Sequence, residues 1–216
     1  MNKTIYILID CSESMSGSRV AMVNYTMHKI FEEVFPAVLA ENFTSLDICV
    51  KVIGFADAGT GNNVFEIIPK TNINACACWV DMTHDVFKGK TPIGEAIKTI
   101  IYYDILGGIG EPHINEVIPL IIVISDGLSD CGNPTYEEVL EWGDKTSDKC
   151  VGAFRKTFRI AIGIDAYGIG RENLKKFGSI SKRMELRGIK SYYDCSEEYV
   201  DDLVDILRPP PIASLY

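Results

Sequence analysis

The chain is short of the features that mark several large protein classes. Its first apolar run, residues 5–9, stops at Asp10 after five residues, too few for a signal-peptide core or a membrane span. No run of Lys or Arg occurs, and a formal net charge of -9 with a pI near 4.9 disfavours nucleic acid or an anionic membrane as partner, since both need clustered cations. There is no internal repeat, biased tract or linker. The 216 residues therefore read as one domain over 1–208 with a Pro-rich tail at 209–216. No Gly-x-Gly-x-x-Gly follows the first strand; Gly168-Ile169-Gly170 comes late and lacks the remaining glycine, which argues against a dinucleotide site. No Ser-His-Asp set presents itself.

Seven cysteines, at 11, 49, 76, 78, 131, 150 and 195, form an odd, scattered set. Without a secretion signal they read as reduced thiols in a cytoplasmic protein. Cys76 and Cys78 are separated by one residue, not the two of zinc knuckles and redox motifs. With Trp79 they are expected to pack as a surface subcluster inside an irregular stretch over 71–90 that also carries His84.

What the chain does have is alternation of strands and helices. Residues 5–9 and 118–124 are nearly continuous apolar runs, as in strands covered on both faces of a parallel sheet. Further strands are expected over 46–55, 64–68, 158–164 and 191–195, with 46–55 and 64–68 joined as a hairpin and Pro69 ending the latter. Helical spacing of apolar residues runs from Val20 to Val34, with Pro36 ending or kinking that helix. Thr91 and Pro92 stand where an N-cap and first helical residue belong, and Thr135 with Glu138 forms a capping-box pattern for a helix running toward Cys150. A short helix is expected over 171–177, and a last one capped by Ser196. The class is α/β: a doubly wound, mostly parallel sheet with one antiparallel hairpin strand and helices on both faces.

Asp10-Cys11-Ser12-Glu13-Ser14 follows the first strand and sets three oxygen donors at alternate positions. A strand continuing through them would point them one way, and a loop could fold them around a point. In an open parallel sheet, ligands bind beyond the carboxyl ends of the strands where strand order reverses. Asp10 and Asp126 both stand at such ends, and Thr91 opens a helix nearby. Together Asp10, Ser12, Ser14, Thr91 and Asp126 supply two carboxylates and three hydroxyls, a hard set suited to Mg²⁺, with Mn²⁺ or Ca²⁺ as alternatives. Two carboxylates just neutralise a divalent ion, so an open coordination position would still attract an anion, for which a partner's Asp or Glu is the natural candidate.

Asp10-x-Ser12-x-Ser14, then Thr91, then Asp126 before Gly127, resembles the metal-ion-dependent adhesion site of von Willebrand factor A (vWA) domains. Met22-Val23-Asn24, Thr91-Pro92-Ile93-Gly94-Glu95-Ala96-Ile97 and Ser125-Asp126-Gly127-Leu128-Ser129-Asp130 resemble its compact bacterial branch associated with tellurium resistance and stress operons. The resemblance implies a Rossmann-like vWA fold and a non-enzymatic protein-binding module. In it Ser12, Ser14 and Thr91 would bind the ion directly, and Asp10 and Asp126 directly or through water. Two residues depart from the pattern: Glu13 stands where the family usually has Gly, and Cys11 where Thr or a small residue is common. A Mg²⁺-dependent hydrolase or phosphotransferase on a similar sheet is the alternative; such enzymes need a second Asp two residues after the first, where this chain has Ser12.

Overall fold

A computed structural model of the chain describes residues 2–41, 47–76, 78–107, 118–143 and 149–208; the Pro-rich stretch 209–216 lies outside them. The apolar runs assemble into one six-stranded sheet. In chain order the strands are β1 (Asn2–Asp10), β2 (Asp47–Phe55), β3 (Val64–Asn72), β4 (Leu120–Ser125), β5 (Phe158–Gly163) and β6 (Tyr192–Asp194). Their spatial order is β3-β2-β1-β4-β5-β6, parallel throughout except for the antiparallel β2 and β3.

The helices are α1 (Ser18–His28), α2 (Phe35–Ala40), α3 (Ile93–Thr99), α4 (Tyr136–Leu140), α5 (Lys149–Arg155), α6 (Gly168–Phe177), α7 (Lys182–Glu185) and α8 (Val200–Leu207). Because side chains alternate along a strand, β1 feeds two cores. Ile5, Ile7 and Ile9 join the residues of α1, α2 and α8 on one face. Tyr6 and Leu8 meet α3, α4, Phe154 of α5 and α6 on the other. Lys3 is buried at the base of β1, where its ammonium donates to the Ile206 carbonyl in the last turn of α8 at 2.7 Å. That carbonyl end of a helix favours a cation, while burial pulls the Lys3 pKa down to about 8.

Several local expectations are corrected. Pro36 does not end its helix: a π-helical stretch, Lys29–Val34, continues into α2, with Pro36 in its first turn. A wider turn is one way to seat a residue that has no N–H and whose ring crowds the preceding carbonyl. Pro69 does not end β3, which continues to Asn72; β3 is an edge strand, and the pairing shifts register as it passes Val50 to Val52 on β2, positions where proline is tolerated. The helix expected to run toward Cys150 stops at Leu140, passes through a 3₁₀ turn, Glu141–Gly143, and a separate α5 holds Cys150. Pro92, not Thr91, is the N-cap of α3, and Tyr199, not Ser196, that of α8. Trp79 is in the main core beneath α1, its ring 5.7 Å from that of Phe31, and not in a surface subcluster. The Thr135 capping box is formed as expected.

Candidate functional site

Strand order reverses between β1 and β4: β2 and β3 lie to one side of β1, and β4, β5 and β6 to the other. Ile9 pairs with Ile124, so Asp10 and the Ser125-Asp126 pair emerge side by side at the carboxyl edge. This is the crevice in which open parallel sheets bind ligands. β5 also points here and is followed by Asp165.

Asp10 is wholly buried. One carboxylate oxygen accepts the Ser12 backbone N–H at 3.0 Å and the other accepts the Ser125 hydroxyl at 2.7 Å. Burial, only partly opposed by these hydrogen bonds and reinforced by the nearby Asp126, pushes its pKa up to about 7. No cationic side chain bonds it among the described residues. Ser12 and Ser14 bring their hydroxyl oxygens to 3.1 Å of each other. In the turn between them Glu13 is exposed, whereas Cys11 points back into the core.

The loops carrying these groups are bonded to one another. Glu13 N–H donates to the Gly89 carbonyl and Lys88 N–H to that of Cys11, joining the first loop to the segment before Thr91. Thr91 in turn donates its N–H to Asp130 at 2.7 Å and accepts from the Ser129 hydroxyl at 2.9 Å, which joins it to the loop after Asp126. Its side chain is nearly buried, and its hydroxyl forms no hydrogen bond among the described residues. Gly127 is required by two features: a positive φ of 79° and the Gly170 carbonyl, 2.2 Å from where a Cβ would sit. Gly127 N–H also donates to the Ser125 hydroxyl oxygen at 2.9 Å, so Ser125 ties the Asp126 turn to Asp10.

All five residues singled out from the sequence therefore stand at this edge. Contacts link Asp10, Ser12, Ser14 and Asp126, the last through Arg19, whose guanidinium donates to the Ser14 carbonyl at 2.8 Å and to the Asp126 carboxylate at 3.0 Å. Thr91 is joined through its backbone. Arg19, Ser125, Asp130 and Asp165 were not anticipated. Asp165 could have been, because it too follows an apolar strand; Arg19 sits in α1 with no signal of the residue it meets. His28 is tied to Glu32 and Asp81 on the surface. Among the described residues no disulfide joins the cysteines, and no group of three or more His, Cys, Asp or Glu side chains is placed to hold a metal. The candidate is the hydroxyl-rich set at the sheet edge.

The donor set fits a hard divalent ion. It offers two carboxylates and three hydroxyls, and a carboxylate without a cationic partner in a dry site is costly until a cation neutralises it.

No protein-family model matches the chain, and no curated protein does. Solved structures do match. The vWF domain of the type V pili tip protein Mfa5 from Porphyromonas gingivalis aligns at 11% identity and TM-score 0.53, over 98% of each chain. BatB from Bacteroides thetaiotaomicron, a conserved hypothetical protein, aligns at 15% and 0.54 over 94% of this chain and 96% of its own. Proximal thread matrix protein 1 from the mussel byssus aligns at 20% and 0.56 over 95% of this chain, which spans about half (47%) of that longer protein. No helix among the described residues is long and apolar enough to cross a membrane. At these identities the likeness carries the fold, and the strand order, the antiparallel β3 and the helices on both faces are those of the Rossmann-like von Willebrand factor A fold.

Proposed function

We propose that the chain is a non-enzymatic protein-binding module that uses a divalent cation, Mg²⁺ by preference, to capture an Asp or Glu side chain of a partner protein. Asp10, Ser12, Ser14, Thr91 and Asp126 would hold the ion as a metal-ion-dependent adhesion site. When bound, the ion supplies the positive charge that a carboxylate seeks. The chain's own residues supply the rest. The Ser125 hydroxyl and Ser12 N–H orient Asp10, the Gly127 turn aims Asp126, and the bonds to Ser129 and Asp130 fix the Thr91 backbone.

The observation that carries this reading is Asp10 itself. A fully buried carboxylate at the switch point, without a cationic partner and beside hydroxyls with unused lone pairs, is costly as a structural element and apt as a ligand. Ser12 stands where a phosphotransferase would need its second Asp, so nothing favours turnover. The bacterial stress or tellurium-resistance setting rests on the resemblance of the segments around Met22, Thr91 and Ser125, and a cytoplasmic location is proposed from cysteines that form no disulfide among the described residues.

The test is a calorimetric titration with Mg²⁺ and Mn²⁺ of the wild type beside Asp10→Ala and Asp126→Ala, each checked for folding. One saturable site, lost in both variants, is expected. A folded wild type that binds neither ion would overturn the metal-dependent reading.

A further inference from the structure

A cleft of about 360 Å³ opens beside the candidate ion position, because Ser14 and Asp126 line both. Part of its wall is apolar and left in water: Leu128 is 43% exposed, Tyr167 74% and Ile169 64%. Large apolar side chains gathered on one concave surface mark a place where another molecule removes the water, and aromatic residues are the usual anchors there. Leu128 is fixed by the site itself, since its N–H donates to Asp126 at 3.0 Å. At the lower end of the range for ligand pockets, about 300–1,000 Å³, the cleft has room for a side chain and its backbone, not for a folded element.

Charge decides which segment suits it. Arg19, Asp126 and Asp165 give the lining one cationic and two anionic groups. A carboxylate is repelled by that balance until a divalent ion is added, after which the lining is net positive. A basic side chain would find Asp126 already bonded to Arg19 and Asp165 3.5 Å from the same guanidinium.

We propose that this cleft takes a large apolar or aromatic residue adjacent to the captured acid, so that the partner is recognised as an acidic residue flanked by bulky apolar ones. The inference rests on the metal-dependent reading above and adds the residue type that sets its specificity. Leu128, Tyr167 and Ile169 supply the walls of the apolar subsite.

The experiment uses two capped, fluorescently labelled hexapeptides whose single aspartate is flanked on both sides by phenylalanine or on both sides by serine. Each is titrated with the full chain by anisotropy, in Mg²⁺ and in EDTA, while Mg²⁺ affinity is measured separately. The phenylalanine peptide is expected to bind at least about tenfold tighter than the serine peptide, and only in Mg²⁺. Replacing Tyr167→Ser together with Ile169→Ser should abolish the preference, and Leu128→Ser should reduce it. Absence of Mg²⁺ binding would sink the metal reading itself. Normal Mg²⁺ binding with equal affinities for the two peptides, or with the preference intact in the folded double variant, would overturn the docking surface alone, whereas no binding of either peptide at millimolar concentration, or equal binding in EDTA, would overturn the carboxylate capture together with it.

Discussion

Replacing Asp10 by asparagine should make the chelated protein more stable, because the native carboxylate is held there at a cost. The shape is kept: the amide oxygen can still accept from Ser12 N–H, which meets the Asp10 carboxylate at 3.0 Å. Burial raises the folded carboxyl from 3.8 to about 7, which at about 1.4 kcal/mol per tenfold amounts to a penalty of about 4 kcal/mol once it is ionised. The sign follows from proton counting. Between about pH 4 and 7 the folded state holds a proton that the unfolded chain has lost, so stability falls as pH rises through that window and the penalty is complete above it. Near pH 5.5, above the pI and therefore soluble, about half of the penalty should be present.

The gain in the asparagine variant is smaller than the penalty, because the Ser125 hydroxyl, which donates to Asp10 at 2.7 Å, loses its carboxylate acceptor at a cost of about 1 kcal/mol. Urea unfolding in EDTA should therefore show Asp10→Asn more stable than wild type by about 2–3 kcal/mol near pH 8, with a smaller difference near pH 5.5. Saturating Mg²⁺ at about a hundred times Kd should add about 2.7 kcal/mol to the wild type and nothing to the variant, closing the gap. A variant less stable than wild type at both pH values in EDTA would refute the reasoning and make Asp10 a structural hydrogen-bond hub.

Arg19→Gln removes a guanidinium that bonds both the Ser14 carbonyl and Asp126, a fixed positive charge beside the ion position. Mg²⁺ affinity should rise by about tenfold at low salt, and an unchanged or weaker affinity by calorimetry would show that the guanidinium does not oppose the ion. Asn24→Ala removes the amide that accepts from Trp79 and from Met82 N–H and donates to the Met82 carbonyl. Leaving the buried indole N–H without a partner should cost about 2–4 kcal/mol in chemical unfolding, and a loss below about 1 kcal/mol would mean that apolar packing, not this amide, holds the segment around Trp79.

What could be read from the sequence and what could not divide along a physical line. β1, β4 and β5 are covered by helices on both faces, so each had to be apolar at nearly every position, and each run ends on the residue that turns out of the sheet. Asp10, Asp126 and Asp165 are legible for that reason, although the third has its meaning only through Arg19. Asp10 with Ser12 and Ser14 is legible because it is local. Edge and boundary features are not: β3 passes through Pro69 because a register shift takes up the proline, and the π turn before Pro36 leaves no pattern of its own. Thr91 shows the limit from the other side. Its sequence context is that of an N-cap, yet Pro92 holds that place and the Thr91 backbone is bonded across 39 residues to Asp130. A hydroxyl freed from capping its own helix is available to a ligand, so the position at which the local rule fails is also one the proposed site needs.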